Sequence, residues 1–134
     1  MISYEHLVKI YYKDIDQMGI VYYSRYFEYF EEARTELLNS INLDVTSIEK
    51  NEIYLPVITS HCDYKRGVKF EQEIIILTSI PKLPRAKLLI NYTGYIKDSK
   101  EILFEGYTIH AFMRKSGKPT KVPKEILSSL DRYF

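Results

Sequence analysis

The sequence predicts an α+β fold in which one long helix packs against an antiparallel sheet of about five strands. One stretch shows helical spacing of apolar residues, and the stretches around it show the alternation typical of strands. The last strands are joined by connections so short that they must run antiparallel. The chain has 134 residues with no internal repeat or linker, so we expect residues 1–134 to form a single domain.

The first third of the chain predicts a strand, a loop and the long helix. Tyr4–Lys13 alternates as a strand does, whereas Asp14–Tyr23 has no period and contains a glycine. From Ser24 to Asn39, apolar residues recur at three- and four-residue steps, and Ser24 is a suitable N-cap. The apolar face of this helix consists of Tyr26, Phe30, Ala33, Leu37 and Ile41.

The remainder of the chain predicts four strands and a short C-terminal helix. A turn at Asp98–Lys100 separates the last two strands, and Ser116–Pro119 ends the sheet. Pro123 suits the first residue of the final helix. Because an open sheet leaves its edges unpaired, we expect pairing with a second copy of the chain. The predicted strands are Tyr54–Tyr64, Glu73–Ile80, Arg85–Lys97 and Ile102–Arg114.

Composition excludes several classes of protein. Nineteen Lys and Arg against eighteen Asp and Glu give a net charge of +1, which argues against a nucleic-acid-binding protein. A single cysteine makes no intramolecular disulfide. The longest aliphatic run, Ile74–Leu77, is too short to cross a membrane, and the charged N-terminus is unlike a signal peptide. We therefore expect a cytoplasmic protein.

The thirteen tyrosines of the chain are residues typical of clefts and subunit interfaces as well as of strands.

The densest group of chemically useful residues lies in the loop before the long helix. Asp16 supplies a carboxylate, and Gly19 allows tight backbone geometry. The helix that follows presents unpaired backbone N–H groups and a positive dipole end. Such donors stabilise an oxyanion, and a nearby carboxylate activates water or attacks a carbonyl, so the pattern indicates acyl transfer. The alternative is an ordinary turn whose Asp side chains bond their own backbone.

A metal site is a second alternative for the same loop. Asp14 and Asp16 are two residues apart, so their side chains point the same way on an extended chain. A hard cation requires more oxygen ligands than this pair supplies, and no further acidic cluster follows nearby. We therefore predict no metal.

The loop and the helix also carry a family resemblance. Residues 14–23, followed by Tyr26 and Arg34, resemble the signature of the 4-hydroxybenzoyl-CoA thioesterase family of hotdog-fold proteins. That signature is an aspartate, two variable residues, a glycine, two aliphatic residues and two aromatic or histidine positions. The chain is similar to the small bacterial acyl-CoA thioesterases associated with the Tol–Pal cluster. The segment Asp63–Phe70 resembles the second stretch characteristic of the family.

The resemblance implies a hotdog fold, a helix wrapped by a five-stranded antiparallel sheet, and hydrolysis of an acyl-CoA thioester. Asp16 aligns with the catalytic carboxylate, as general base or nucleophile. Tyr23 aligns with the residue whose backbone N–H polarises the thioester carbonyl. Coenzyme A is part of the substrate, and no separate cofactor is implied. Hotdog domains form dimers with active sites at the interface, and often tetramers, so a homotetramer is expected.

The chain departs from the family pattern at two positions. The Tol–Pal subgroup usually has His where this chain has Tyr23, so any role of an imidazole is lost here. The family often has Pro where this chain has Gly67, which loosens a turn.

Substrate binding requires cations for the CoA phosphates and an apolar slot for the acyl group. Two basic groups are candidates for the phosphates, and either could instead be a solvated sheet edge. They are Lys82 and Arg85 with Lys87, and Arg114 and Lys115 with Lys118, Lys121 and Lys124. The candidate acyl-pocket residues, each of which could instead be ordinary packing, are Tyr22, Tyr26, Phe30, His61 and Tyr64. Cys62 and His110 are expected to be packing residues.

Two other functions are compatible with the sequence. The basic strip that begins at Arg114 could dock an acyl carrier protein, which would make the chain a carrier-protein thioesterase. The chain could also be a non-catalytic binder of acyl thioesters, without turnover that depends on Asp16. Comparing matched CoA and carrier thioesters separates these functions.

Overall fold

The computed structural model describes residues 1–134, and its core is one antiparallel sheet with a long helix on one face. The strands are β1 (Ile2–Lys9), β2 (Ile53–Tyr54), β3 (Val57–Tyr64), β4 (Glu73–Ile80), β5 (Lys87–Ile96), β6 (Ile102–Arg114) and β7 (Pro119–Thr120). The helices are α1 (Arg25–Ser40), α2 (Val45–Lys50) and α3 (Lys124–Asp131). The long strands run in the order β1–β4–β5–β6–β3, and the two-residue strands β2 and β7 pair with the last part of β6.

The helix α1 lies across the sheet and buries the apolar face that its spacing predicts. All five predicted residues, from Tyr26 to Ile41, are buried. The ring of Phe30 stacks on Tyr92 of β5, with centroids 4.1 Å apart and planes inclined by 9°. Gly106 of β6 makes room for this contact, because a Cβ there would lie 2.8 Å from the Phe30 ring. The even-numbered residues of β4, β5 and β6 therefore face α1.

Two of the predicted strands differ from the structure by more than two residues or by a break, and the predicted Arg85–Lys97 is slightly shorter, at Lys87–Ile96. The first strand ends at Lys9 rather than Lys13, because its partner β4 begins at Glu73, which pairs with Lys9. The chain then forms a 3-10 turn at Tyr12–Asp14. The second predicted strand is divided into β2 and β3 at Pro56, which has no N–H to donate to a ladder.

One helix and one short strand of the structure are not predicted by the sequence pattern. Asp44 caps α2 by accepting a hydrogen bond from the Ser47 backbone N–H at 3.1 Å. Such a capped six-residue helix is too short to show a clear period. Beyond the predicted end of the sheet, Pro119–Thr120 forms β7, and Pro123 is the N-cap of α3 rather than its first residue.

One edge of the sheet is formed by β3. This strand pairs with β6 on one side only, and all its side chains except Cys62 are exposed. His61 and Asp63 face away from α1, whereas Cys62 lies opposite Gly106 and faces the helix. Tyr64 then comes close to the start of α1. None of the helices has the length and apolarity that crossing a membrane requires.

Candidate active site

The loop before α1 is held in place by Asp14, whose side chain is buried. Its carboxylate accepts a hydrogen bond from the Tyr11 backbone N–H at 2.9 Å and lies 4.0 Å from Nε of Arg25. Its backbone carbonyl accepts a hydrogen bond from the Tyr22 N–H at 2.9 Å. Asp14 therefore fastens the loop to the first turn of α1.

Asp16 opens a tight turn that closes at Ile20. The Asp16 N–H donates to the Ile20 carbonyl at 2.9 Å, and the Gly19 N–H donates to the Asp16 carbonyl at 3.0 Å. Gly19 has a φ of +79°, in the left-handed region that favours glycine. Oδ1 of Asp16 accepts a hydrogen bond from the Met18 N–H at 2.8 Å. The Asp16 side chain thus bonds the backbone of its own turn, as the alternative of an ordinary turn predicts. This bond uses Oδ1 and leaves Oδ2 without a hydrogen-bond partner in the chain.

Asp16 lies in a cleft of about 340 Å³ at the start of α1. Tyr64 closes one wall, because its hydroxyl donates to the Tyr23 carbonyl at 3.1 Å. The rings of Tyr64 and Tyr26 meet edge to face, with centroids 4.8 Å apart. The cleft thus brings together four residues predicted from the sequence. Its lining consists of Asp16, Ile20, Val21, Tyr23, Tyr26, Tyr64, Lys65, Arg66 and Gly67.

The helix start leaves backbone donors available beside this cleft. The N–H groups of Tyr23 and Ser24 donate no hydrogen bond within the chain, and the Ser24 side chain makes no cap. Such unpaired donors carry the positive end of the helix dipole. The start of α1 can therefore hold a carbonyl oxygen on which negative charge develops.

Burial keeps the phenol and thiol groups near the cleft neutral. It raises the pKa of the Tyr26 phenol to about 12 and that of the neighbouring Cys62 thiol to about 12. Burial also raises the pKa of Tyr64. Because a thiolate is the reactive form of cysteine, Cys62 is unsuited to be a nucleophile. Asp16 is the one carboxylate that lines the cleft.

Two basic residues of the cleft, Lys65 and Arg66, were missed in the sequence analysis. Lys65 lies 4.0 Å from the carboxylate of Glu105, and Arg66 forms an ion pair with Glu101. Both follow Tyr64 directly in the stretch Asp63–Phe70 that resembles the family. Their place in this stretch was the one sequence feature that could have identified them as site residues. No sequence pattern shows that the chain after β3 lies beside Asp16.

Three of the acyl-pocket candidates, Tyr22, Phe30 and His61, lie outside this lining, and Phe30 is fully buried in the core. Tyr22 is exposed and packs on Tyr23, with centroids 4.6 Å apart. His61 lies on the opposite face of β3, where its ring stacks on Tyr107 with centroids 5.3 Å apart and its Nε2 lies 3.1 Å from Oδ1 of Asp63. The chain therefore does not bring His61 to the cleft.

The predicted basic groups also lie elsewhere on the chain. Arg114 pairs with Glu125 of α3 at 3.6 Å, and Lys115 pairs with Glu52 at 3.7 Å. Lys82 and Arg85 line a separate groove in the connection between β4 and β5. None of these four residues lines the Asp16 cleft, and their role in binding CoA stays a prediction.

Asp14 and Asp16 do not form a metal site together. Asp14 is turned into the loop, whereas Asp16 lines the cleft. No three His, Cys, Asp or Glu side chains come close enough together to hold a metal ion.

Comparison with known proteins gives the same family as the sequence motifs. Residues 11–130 match the thioesterase-like superfamily. The chain is 29% identical over 127 residues to a putative esterase of Aquifex aeolicus, which covers 95% of each chain. It is 34% identical to the acyl-CoA thioesterase YbgC of Haemophilus influenzae over 83 residues, and this alignment covers 61% of each chain. The DHNA-CoA thioesterase of Staphylococcus aureus superposes with a TM-score of 0.84 at 24% identity, over 100% of this chain and 85% of that one.

The match over residues 11–130 shows that the chain belongs to the thioesterase-like superfamily. The predictions of the family, of the α+β hotdog fold and of a thioester hydrolase are therefore confirmed. The five-stranded sheet of the prediction corresponds to the long strands, to which β2 and β7 add short ladders.

Proposed function

We propose that this protein hydrolyses an acyl-CoA thioester to the free acid and CoA in the Asp16 cleft. The observation that carries the proposal is the position of the Asp16 carboxylate in one cleft with the unpaired N–H groups at the start of α1. The name of the Haemophilus influenzae relative, an acyl-CoA thioesterase, supports the same substrate class.

The start of α1 polarises the substrate. The thioester carbonyl accepts hydrogen bonds from the Tyr23 and Ser24 N–H groups, which become stronger as the tetrahedral oxyanion forms. Removing one such donor in other acyl-transfer enzymes typically costs about 10²-fold or more in kcat. Because the donors are backbone groups, the Tyr23 side chain is not required for this step.

Asp16 then supplies the acid–base or covalent chemistry. As a general base, Asp16 takes a proton from water, whose oxygen attacks the carbonyl carbon, and the C–S bond breaks to release the CoA thiolate. As a nucleophile, Asp16 attacks the carbonyl itself and displaces the thiolate, and water then hydrolyses the resulting anhydride. The proton is passed to the thiolate in either route.

A single-turnover reaction in ¹⁸O-water separates the two routes. Attack by Asp16 followed by hydrolysis at the Asp16 carbonyl places ¹⁸O in the Asp16 carboxylate, which mass spectrometry of its peptide detects. General-base catalysis places ¹⁸O in the product acid alone, as does attack of water on the acyl carbonyl of the anhydride, so label in the Asp16 peptide is the decisive result. The equivalent peptide with Asp63 is the internal control for non-enzymatic exchange, because that side chain lies on the opposite sheet face.

The cleft walls suit the two ends of the substrate. Ile20, Val21 and the ring of Tyr26 offer apolar surface to the acyl group. Lys65 and Arg66 offer positive charge to CoA phosphates, in competition with their own carboxylate partners. We further propose a homodimer or dimer of dimers, in which a second chain covers the open β3 edge and supplies the other side of the cleft.

A thiol-release assay on a panel of short, long and aromatic acyl-CoA esters tests the function. We expect turnover of at least one ester and a slower rate on the matched acyl carrier protein thioester. Faster turnover of the carrier thioester would instead favour the carrier-protein function that the strip at Arg114 suggests. Tight binding of CoA esters without turnover would contradict the enzyme proposal and identify a binding protein.

A further inference from the structure

A second cavity lies near the C-terminal half of α1, between this helix, α2 and the sheet. Its volume is about 170 Å³. It shares no residue with the Asp16 cleft. On α1 the nearest lining residues are Tyr26 of the cleft and Glu31 of the cavity, which lie about 7.5 Å apart along the helix axis. Its lining consists of Glu31, Arg34, Thr35, Leu38, Val45, Ile48, Glu49, Ile53, Leu55, Leu88, Ile90 and His110.

Arg34 is the unusual member of this lining. Arg25, Arg66 and Arg114 each pair with a carboxylate. Arg34 is half-buried and forms no ion pair with any carboxylate of the chain. A guanidinium that is partly removed from water and lacks a counter-charge is suited to bind an anion.

The polar groups beside Arg34 are already satisfied by one another. Tyr92 and Thr108 hydroxyls lie 2.7 Å apart, and Oγ1 of Thr108 lies 2.9 Å from Nε2 of His110. Nδ1 of His110 lies 3.0 Å from the Leu55 carbonyl. Because a carbonyl only accepts, Nδ1 carries the proton, and Nε2 accepts from Thr108. Arg34 also lies against the Tyr92 hydroxyl, where its charge opposes the burial that raises the pKa of Tyr92, and the other N–H groups of its guanidinium are left for a ligand.

The charge of the cavity wall comes from Arg34 rather than from the imidazole. Burial lowers the pKa of His110, the bond to the Leu55 carbonyl opposes this, and the Arg34 charge lowers the pKa further. The ring is therefore neutral at physiological pH. Glu31 and Glu49 also line the cavity but are exposed, where water screens them. Their negative charges oppose any anion and a dianion most, so a ligand with a single negative charge, held directly by Arg34, is favoured over a dianion.

We propose that this cavity binds a small monocarboxylic acid with an apolar body. The carboxylate of the ligand would accept two parallel hydrogen bonds from the Arg34 guanidinium. The apolar part of the ligand would contact Leu38, Ile48 and Ile90. A dry cavity of about 150 Å³ lined by aliphatic side chains holds benzene in another protein, so a benzoate-sized acid matches the space here. The proposal goes beyond thioester hydrolysis and needs no turnover at Asp16.

Methyl NMR of the full chain, titrated with benzoate, tests this site. We expect saturable shifts at the methyl groups of Leu88, Ile48 and Ile90, unchanged in Asp16→Asn. Benzyl alcohol is the matched neutral probe, and we expect it to bind about tenfold more weakly because it lacks the charge. In Arg34→Gln, benzoate should lose about the same factor, and Arg34→Lys should recover part of it.

Three results would overturn the proposal. Shifts confined to Ile20 and Val21 would place the acid in the Asp16 cleft instead. Equal affinity for benzoate and benzyl alcohol would show that the charge of Arg34 does not contribute to binding. An unchanged affinity of a folded Arg34→Gln variant for benzoate would show the same. If no methyl resonance shifts at millimolar benzoate, the cavity does not bind this class of ligand. If Arg34→Gln does not fold, the affinities of the wild-type protein for benzoate and for benzyl alcohol still test the role of the charge.

Discussion

Gly19 sets the geometry of the Asp16 turn through its backbone alone. A Cβ at this position would have no heavy atom within 4 Å, so crowding is no obstacle to a larger residue. Its φ of +79° nevertheless strains any L side chain. We expect Gly19→Ala to lower the free energy of unfolding by about 1–2 kcal/mol in urea denaturation. Gln17→Ala, in the same exposed turn, is the control and should change it by less than about 0.5 kcal/mol. Equal effects would contradict the role of the backbone.

His110 makes stability depend on pH. Because burial lowers its pKa in the folded chain, the unfolded chain binds more protons as pH falls below about 6.5. The free energy of unfolding should therefore decrease from pH 6.5 downward, by at most about 1.4 kcal/mol per pH unit for this group. Chemical denaturation across pH should show a shallower slope in His110→Gln than in His61→Gln, whose imidazole is exposed. Identical slopes would refute this assignment.

The site residues differ in how far the sequence could predict them. Asp16, Gly19 and Tyr23 are close together in the chain, so a local motif identifies their neighbourhood. Lys65 and Arg66 reach the cleft only because β3 ends beside the start of α1, a long-range arrangement that no local pattern encodes. His61 was named from its residue type, and strand alternation places it on the other face.

At the scale of elements, α1 is held to the sheet by its apolar face. Phe30 is fully buried and stacks on Tyr92, so Phe30→Ala should lower the free energy of unfolding by about 3–5 kcal/mol. Phe70 is 44% exposed, and Phe70→Ala is the matched control, expected to cost less than about 1.5 kcal/mol. Thermal and urea denaturation measure both variants. A loss at Phe30 no larger than at Phe70 would show that the stack does not anchor the helix.

Long periodic elements were predicted well, and short ones were not. The limits of β4 and β6 agree with the predicted Glu73–Ile80 and Ile102–Arg114, and α1 differs by one residue at each end. The helix α2 depends on the Asp44 cap and on tertiary packing of Ile48. The division between β2 and β3 depends on one proline. Neither feature produces a period that a window of sequence can show.

At the scale of the whole molecule, the open β3 edge is the expected contact with a second chain. Ile58 is 49% exposed on this strand. We expect Ile58→Lys to shift the protein from dimer or tetramer toward monomer in sedimentation velocity, because a charge blocks edge pairing. Leu77→Lys, at a 38% exposed position on β4, is the control and should leave the assembly unchanged. A monomeric wild type would contradict the proposed dimer.

The central claim is that Asp16 performs the chemistry, and Asp16→Asn tests it most directly. The amide preserves size but can neither accept a proton from water nor form the anhydride. On whichever acyl-CoA ester the wild type cleaves, we expect kcat to fall by about 10²-fold or more, with the melting temperature nearly unchanged. Asp131→Asn, at the exposed end of α3, is the control and should keep the wild-type rate. A near-wild-type kcat in Asp16→Asn would contradict the account.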